Sequence, residues 1–266
     1  MIKNIWSRPK YLPYVQPELN DALIKTAEEK MGVTLPIEYL DLLKVQNGGY
    51  IRCSFNETPH DVIKGIGPHY PSITNFEWLS EYEDLSYDIN GLFPFDGDGH
   101  WNLCLDYRSN KEFPKITYID TESDYDRVVA QSFQEYLDQL TLRYDYDYLI
   151  ITDLETVELI EKISNCIDIT FKEPNSENYG YPVHAGKYKM TWIQVIPNEV
   201  PLGFVRENHP RYNELKSQMN EFTLKYPEIP RKNHYLNFNS EDNKIEILEK
   251  LIEAGLSILK FDESLI

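Results

Sequence analysis

Apolar residues recur at helical spacing in two stretches near the start of the chain. In the first stretch, residues four apart share one face of a helix predicted over 17–31: Leu19, Leu23, Ala27 and Met31. Pro17 suits the first helical position, because its missing N–H would have no helical partner there, and Gly32 is a natural stop. A second helix is predicted over 36–46. Asn47-Gly48-Gly49 ends it, because these residues tolerate positive φ.

Short strands and turns are predicted through the middle of the chain. Residues 50–55 alternate with the period of a strand, and strands are also predicted over 101–107 and its hairpin partner 115–120. Residues 76–90 carry apolar side chains at helical spacing: Trp78, Leu79, Tyr82 and Leu85. Ser132-Phe133-Gln134-Glu135 fits a capping box and predicts that a further helix begins there.

The helical pattern breaks at residues 143–148, which predicts a boundary between a domain over 1–148 and a smaller one over 149–266. Predicted helices and strands both occur in the second part, which makes it α/β or α+β. Its helices are expected to begin at Thr152, His209 and Ser240. Its strands are expected over 167–171, 188–196, 202–205 and 256–261.

Composition supports a folded, acidic protein. The 266 residues are 41% hydrophobic and 13% aromatic, which argues against wholesale disorder. There are 44 acidic and 26 basic residues, and residues 1–148 hold 25 of the acids and 13 of the bases. Nucleic-acid phosphates and anionic membranes are therefore unsuitable partners, whereas a basic protein is attracted. No signal peptide or apolar membrane span is recognised, so a cytoplasmic location is expected.

Three blocks of sequence resemble the SUKH superfamily of bacterial toxin-immunity proteins and fungal Smi/Knr cell-wall regulators. The first block runs from Ala27 to Leu40, with "Leu-Pro" at the start of the second helix, and continues to Asn47-Gly48-Gly49. The second is the Gly-rich turn and strand over 96–108. The third comprises residues 116–122 and 129–137. Together the blocks lie in the family's order and span about residues 18–142, whereas residues 149–266 resemble no recognised family.

This resemblance implies an α+β fold for the first domain, with helices packed on a mainly antiparallel sheet. It also implies a binding function, since bacterial members resemble proteins that occupy and neutralise toxins and fungal relatives act as regulatory scaffolds. The family offers no catalytic motif to carry over to this chain.

The sequence gives no coherent metal or catalytic constellation. Asp96-Gly97-Asp98-Gly99-His100 invites comparison with a calcium loop, but the sixth and twelfth positions are Trp101 and Tyr107 instead of Gly and Glu. The segment is therefore interpreted as a turn. No histidine pair has the spacing of a helical zinc site, and Cys104 alternates with apolar neighbours as a buried thiol does. We expect no catalytic residues, no metal and no cofactor.

Two acidic clusters containing aromatic residues are the candidate partner-binding sites. Interfaces favour aromatic anchors within a polar rim, and carboxylates complement a basic partner. The first cluster contains Glu77, Trp78, Glu81, Tyr82, Glu83, Asp84 and Asp88. The second contains Asp120, Glu122, Asp124 and Asp126, which surround Tyr125. The alternative is that the aromatic residues belong to the core and the acids form a solvated face.

The function expected from these observations is that of a non-enzymatic binding protein. The first hypothesis is an immunity protein that neutralises a cognate toxin domain, for example a basic nuclease whose anionic substrate the acids mimic. The second is a regulatory scaffold of the Smi/Knr type that acts through protein contacts. An enzyme in the C-terminal half is the third, because that half is unrecognised.

Overall fold

The structure is a computed structural model that describes residues 4–55, 58–76, 78, 85–174 and 180–265. The chain divides into two compact units, Met1–Arg143 and Tyr144–Ile266. Both units combine helices with antiparallel sheets, so the fold class is α+β, as predicted. Residues 144–148, which the sequence prediction placed in the first domain, lie in the second unit.

The helices of the first unit begin and end where capping groups are available. They are α1, Asp21–Met31, α2, Ile37–Val45, and α3, Phe133–Gln139. The start predicted for α1 was wrong, since Asn20 caps the helix by accepting a hydrogen bond from the Leu23 N–H at 3.0 Å, leaving Pro17 outside. The predicted stop at Gly32 is confirmed, with φ +69°. The cap at Ser132 is confirmed too, because its Oγ accepts from the Glu135 N–H.

The strands of the first unit form a four-stranded meander and two short pairs. In chain order they are β1, Lys10–Tyr11; β2, Gly49–Tyr50; β3, Cys53–Ser54; β4, Val62–Ile63; β5, Leu92–Gly97; β6, Trp101–Asp106; β7, Lys115–Asp120; β8, Tyr125–Ala130; and β9, Thr141–Leu142. Antiparallel pairing gives the order β5-β6-β7-β8, while β2 pairs with β4 and β3 with β9.

Three strand and helix predictions in this unit need correction. The single strand over 50–55 is instead two short strands, because its two ends pair with different partners. Strand β8 was not predicted; it is a sheet edge whose side chains are mostly exposed, so it lacks a clear apolar alternation. Of the helix predicted over 76–90, residues 77 and 79–84 lie outside the described residues, and 85–90 are not helical.

Apolar side chains cover both faces of the meander. On the helix side, a cluster of buried aromatic rings joins α2, α3 and the sheet: Tyr39, Phe55, Phe95, Phe133 and Tyr136. Alternate residues of β6 point to opposite faces. Leu103 and Leu105 belong to this main core, whereas Cys104 packs with Leu92 and Ile119 on the other side. Cys104 is fully buried as expected, and burial raises the pKa of its thiol.

The Asn47-Gly48-Gly49 segment does more than end α2. The Asn47 amide donates to the carbonyls of Pro17 (2.6 Å) and Ile66 (2.8 Å), and its oxygen accepts from the Ile66 N–H. Gly48 has φ +91°, and a Cβ there would lie 2.6 Å from the backbone nitrogen of Gly65. The segment is therefore hydrogen-bonded to the backbone at Pro17 and at Ile66. Residue 48 must be glycine because the backbone of Gly65 lies so close to it.

The second unit is built around a five-stranded antiparallel sheet in the order β11-β12-β16-β10-β17. Its strands are β10, Tyr148–Ile151; β11, His184–Tyr188; β12, Thr191–Pro197; β13, Glu199–Pro201; β14, Gly203–Phe204; β15, Phe222–Leu224; β16, His234–Phe238; and β17, Ser257–Lys260. Its helices are α4, Thr156–Ile167; α5, Tyr212–Leu215; and α6, Lys244–Glu253. Strands β13 and β15 form a separate pair.

Helices α4 and α6 cover one face of this sheet, and an aromatic cluster covers the other. The helix side is aliphatic, with Leu159, Ile163, Ile247 and Leu251 packed on residues such as Ile193 and Leu236. On the opposite face the rings of Tyr146 and Tyr235 stack at 4.3 Å, next to Tyr226 and Phe261. Buried Asn198 donates to the Ile229 carbonyl at 2.7 Å and accepts from the Tyr235 hydroxyl.

Several element boundaries predicted for this unit were wrong for local reasons. The helix expected from Thr152 begins at Thr156, because Glu155 and Glu158 form the capping box. The helix expected from Ser240 begins at Lys244, after Asn243 in a left-handed conformation. Residue 167 ends α4 instead of opening a strand.

Two longer predicted elements are divided in the structure. The strand expected over 188–196 is broken at Lys189, whose φ is +51°, into β11 and β12. The helix expected from His209 to Tyr226 is α5 followed by a 3₁₀ helix, Lys216–Asn220, and then β15. The strand expected over 202–205 is the short β14.

Candidate partner-binding surfaces

The turn between β7 and β8 holds three of the predicted partner-binding carboxylates in a fixed geometry. Asp120 Oδ1 accepts hydrogen bonds from the Glu122 and Ser123 N–H groups at 3.0 and 2.8 Å, which closes the turn. Asp124 follows with φ +47°, a conformation that Asp tolerates better than most residues. Glu122 and Asp124 are exposed, and the neighbouring Tyr125 is 46% exposed.

The segment that contains Asp88 packs along this turn. The Ser86 N–H donates to Asp124 Oδ1 at 2.7 Å, and the Tyr87 hydroxyl donates to the Asp120 carbonyl at 3.4 Å. Arg108 joins the two segments, since one of its nitrogens donates to the Asp88 carbonyl and another lies 2.9 Å from Asp126 Oδ2. The structure thus brings Asp88, from the first predicted cluster, against the second cluster.

We call Asp88, Asp120, Glu122, Asp124 and Asp126 the acidic hairpin face. Asp88, Glu122 and Asp124 are exposed, whereas Asp120 and Asp126 are half-buried. Arg108 neutralises part of the charge at Asp126, and its hydrogen bond to Asp106 raises the pKa of the guanidinium further. Glu122 pairs with His100 at 2.8 Å, but both side chains are well exposed, so the pair is weak. The face therefore keeps an excess of negative charge.

Trp78 lies below this face and is half-buried. Its indole N–H donates to the Leu92 carbonyl at 3.3 Å, and its ring packs with Leu92, Cys104 and Ile119. The other members predicted for its cluster lie outside the described residues: Glu77, Glu81, Tyr82, Glu83 and Asp84. A role for Trp78 as a partner anchor stays a prediction.

A cleft of about 450 Å³ opens beside the acidic hairpin face. Aromatic and acidic side chains line it, among them Tyr14, Tyr50, Tyr70, Trp101, Asp61 and Asp98. Trp101 is opposite Asp120 in the register of β6 and β7, and Thr121 donates to the carbonyls of Gly99 and His100. The β5–β6 turn therefore borders both the cleft and the acidic hairpin face.

Sequence reasoning missed this cleft because its walls come from five separate segments. Tyr14, Tyr50 and Tyr70 lie far apart in the chain and form no local motif. The one available signal was the density of tyrosine, 20 residues in all, which did not indicate where the rings meet.

The stretch considered as a calcium loop has two structural roles instead. Asp98 Oδ1 accepts from the backbone N–H groups of His100 and Trp101, which forms the predicted turn. Asp96 points into the interior and contacts His60 Nδ1, while the backbone N–H of Val62 donates to the same carboxylate oxygen at 3.3 Å. Among the residues the structure describes, no three His, Cys, Asp or Glu side chains group in a way that would hold a metal ion.

His60 bridges Asp96 and the hydroxyl of Tyr136 inside the core. All three side chains are buried, with 3% exposure or less. Burial raises the pKa of Tyr136 well above its ordinary value, so the phenol stays neutral. The row resembles a catalytic relay, but its imidazole is at most 1% exposed and it ends on a neutral, fully buried phenol. Its role is to join the loop before β4, strand β5 and helix α3.

Residues 18–139 match the SMI1 / KNR4 family (SUKH-1). The first unit contains a SUKH domain. The resemblance drawn from the three sequence blocks is thereby confirmed, and the matched range covers α1 through α3, the meander and the acidic hairpin face. The family includes toxin-immunity proteins and Smi/Knr-type proteins, which act through protein contacts.

The match ends at the last helix of the first unit and does not extend to Tyr144–Ile266. No curated protein and no solved structure matches the chain. In the part of the chain that the structure describes, no helix has the length and apolar character needed to cross a membrane.

Proposed function

We propose that this chain is an immunity-type protein whose SUKH domain binds a cognate bacterial toxin domain and blocks its active site. The partner is a basic protein, such as a nuclease whose anionic substrate the carboxylates of the SUKH domain imitate. Membership of residues 18–139 in the SUKH family supports a protein-binding role, since toxin-immunity proteins are part of that family.

The acidic hairpin face is the observation that carries the proposal. Its carboxylates come from two segments that meet through Ser86, Asp124 and Arg108, and backbone hydrogen bonds hold the turn in place. A preformed charged surface loses little conformational freedom on binding, which favours affinity. Tyr125 contributes an exposed ring beside the carboxylates, and tyrosine is common among the residues that dominate interface energies.

The overall charge adds to this local surface. With 18 more acidic than basic residues, the chain attracts a basic partner over long range and repels nucleic acids. Because the chain repels nucleic acids, its binding to a nuclease would reflect contact with the nuclease itself and not with the nucleic acid on which the nuclease acts. Electrostatic complementarity of this kind mainly raises the association rate.

An inhibition titration tests the proposal with a candidate basic toxin domain taken from the genes that flank the gene for this chain. The wild-type protein is expected to abolish toxin activity at one equivalent. A double variant, Asp88→Lys and Glu122→Lys, reverses two exposed charges of the acidic hairpin face and is expected to need at least about tenfold more protein. Glu18→Lys with Glu29→Lys is the matched control, since both residues are exposed near or on α1.

Two outcomes would contradict the proposal in different ways. Tight binding with undiminished toxin activity would favour a regulatory scaffold of the Smi/Knr type. Equal inhibition by the double variant and its control would show that the acidic hairpin face is not the interface.

A further inference from the structure

The cleft beside the acidic hairpin face combines aromatic walls with carboxylates at its rim. The rings of Tyr14 and Tyr50 lie 5.2 Å apart and form a continuous surface, with Tyr11 packed edge-on against Tyr14 at 5.0 Å. Tyr70 stands at the rim and is 77% exposed. Trp101 is held by a parallel stack on Tyr118, with ring centroids 6.2 Å apart. Four aromatic rings thus line a space of about 450 Å³.

Two carboxylates of this cleft, those of Asp61 and Asp98, differ in the hydrogen bonds that they accept. Asp98 is exposed, and although desolvation opposes the effect, hydrogen bonds from the Trp101 and His100 N–H groups lower its pKa. Asp61 is half-buried, and within the described part of the chain its carboxylate takes part in no hydrogen bond and no ion pair. Desolvation is the largest cause that raises the pKa of Asp61, and the negative charge of Asp96 raises it further. The positive charge of Arg143 has a smaller, opposing effect. A cation entering the cleft would compensate this charge.

Among the described residues that line the cleft, Lys64 is the one lysine, and it packs in the wall. Lys64 is buried, and its Nζ lies 5.0 Å from the centroid of the Phe76 ring. Burial lowers the pKa of Lys64, and the negative charge of Asp96 opposes that effect. Asp96, which also lines the cleft, is held by His60 and backbone N–H groups. Asp61 and Asp98 therefore set the charge that a ligand meets.

We propose that this cleft binds an arginine side chain presented by a basic protein partner. A guanidinium stacks on aromatic faces and pairs with a carboxylate through two parallel hydrogen bonds, so it suits tyrosine walls and an unpaired Asp61 together. The cleft adjoins the acidic hairpin face, which would place this arginine at the edge of the interface proposed above. This inference rests on the proposed function only for the identity of the protein that carries the arginine.

A short peptide tests the cleft without the partner. The probe is acetyl-Gly-Arg-Gly-amide, titrated into the full-length ¹⁵N-labelled chain at 0.15 M salt, with the citrulline peptide as a neutral isostere. The Trp101 indole signal and the backbone signals of Gly97 and Gly99 are expected to shift saturably, with a Kd on the order of 1 mM. The citrulline peptide is expected to bind at least about tenfold more weakly, since it lacks the charge.

Matched variants separate the cleft from the acidic hairpin face. Tyr70→Ala and Asp61→Asn are each expected to weaken arginine-peptide binding about fivefold. The controls Phe113→Ala and Asp138→Asn remove an exposed ring and a carboxylate outside the cleft, and should leave the Kd unchanged. Melting temperatures within about 2 °C of wild type would show that each variant is folded.

Equal binding of the arginine and citrulline peptides would overturn the inference, and so would shifts that map to Glu122 and Asp124 instead of the cleft. An unchanged Kd for both cleft variants would overturn it as well. Toxin inhibition that depends on Asp88 and Glu122 would remain intact in those cases, so failure of the arginine site is distinguishable from failure of the proposed function.

Discussion

Replacing His60 by phenylalanine tests whether the buried row of Asp96, His60 and Tyr136 stabilises the SUKH domain. Phenylalanine keeps the ring and most of the packing against Phe55 and Phe95 but removes both nitrogens. The Asp96 carboxylate would then keep only its backbone donors, and the Tyr136 hydroxyl would be buried without its partner.

The structure gives the size of the expected loss. A hydrogen bond to a charged group contributes about 1.5–3 kcal/mol, and a buried hydroxyl left unpaired costs about 1–3 kcal/mol. His60→Phe should therefore lower the free energy of unfolding by about 3–5 kcal/mol, a large fraction of the ~5–15 kcal/mol typical of a domain. Tyr136→Phe alone removes one bond and should cost about 1–2 kcal/mol. In the His60→Phe background it should instead restore about 1 kcal/mol, because it removes the unpaired hydroxyl.

Urea unfolding followed by tryptophan fluorescence measures these changes, since three of the four tryptophans, Trp6, Trp78 and Trp101, belong to the first unit and Trp192 to the second. Tyr125→Phe, at an exposed phenol, is the control and should be neutral. A loss below about 1 kcal/mol for His60→Phe would refute the reasoning. Simple additivity of the two substitutions would also refute it, because the hydroxyl and the imidazole would then not be bonded.

Three further predictions concern folding, pH and recognition. A chain of residues 1–143 should unfold cooperatively alone, and loss of its near-ultraviolet circular dichroism would show that the two units share stability. Desolvation lowers the pKa of buried His234 to about 4. The free energy of unfolding of the second unit should therefore fall by up to ~3 kcal/mol as the pH drops from about 6.5 to 4. Hydrogen exchange in β16 measures this loss, and His234→Gln should make the stability less dependent on pH. Replacing Glu81, Glu83 and Asp84 together by lysine should slow partner association at low salt, and an unchanged rate would exclude their segment from the interface.

Elements with a capping residue and a one-sided apolar stripe could be predicted from the sequence. Helix α2 and strand β7 lie within a residue of their predicted positions, and Gly32 and Ser132 act as the expected caps. Strands β10 and β16 were missed; apolar side chains cover both faces of their sheet, which weakens the alternation that indicates a strand. The capping box of α4 was assigned one turn early because two overlapping motifs fit the same stretch.

The candidate site could be predicted only where its residues are adjacent in sequence. The turn Asp120–Asp126 was recognised as one cluster because its acids alternate along seven residues. Its meeting with Asp88 depends on Arg108, which belongs to neither segment. The row of His60, Asp96 and Tyr136 joins residues that are 36 or more positions apart, and the cleft brings together side chains from as far apart as Tyr14 and Trp101. Such contacts are set by how the elements pack and leave no local pattern.

Association rates test whether the SUKH domain recognises a basic toxin through its acidic hairpin face. Rates are measured for the wild-type chain and the Asp88→Lys, Glu122→Lys variant at ionic strengths from 0.01 to 1 M. The Debye length shrinks from about 30 to about 3 Å over this range, so exposed charges lose their long-range effect. We expect the wild-type rate to fall steeply with salt, and the variant to be slower by at least about tenfold at low salt and nearly equal at 1 M. Parallel salt dependences with equal rates at 0.01 M would contradict this expectation.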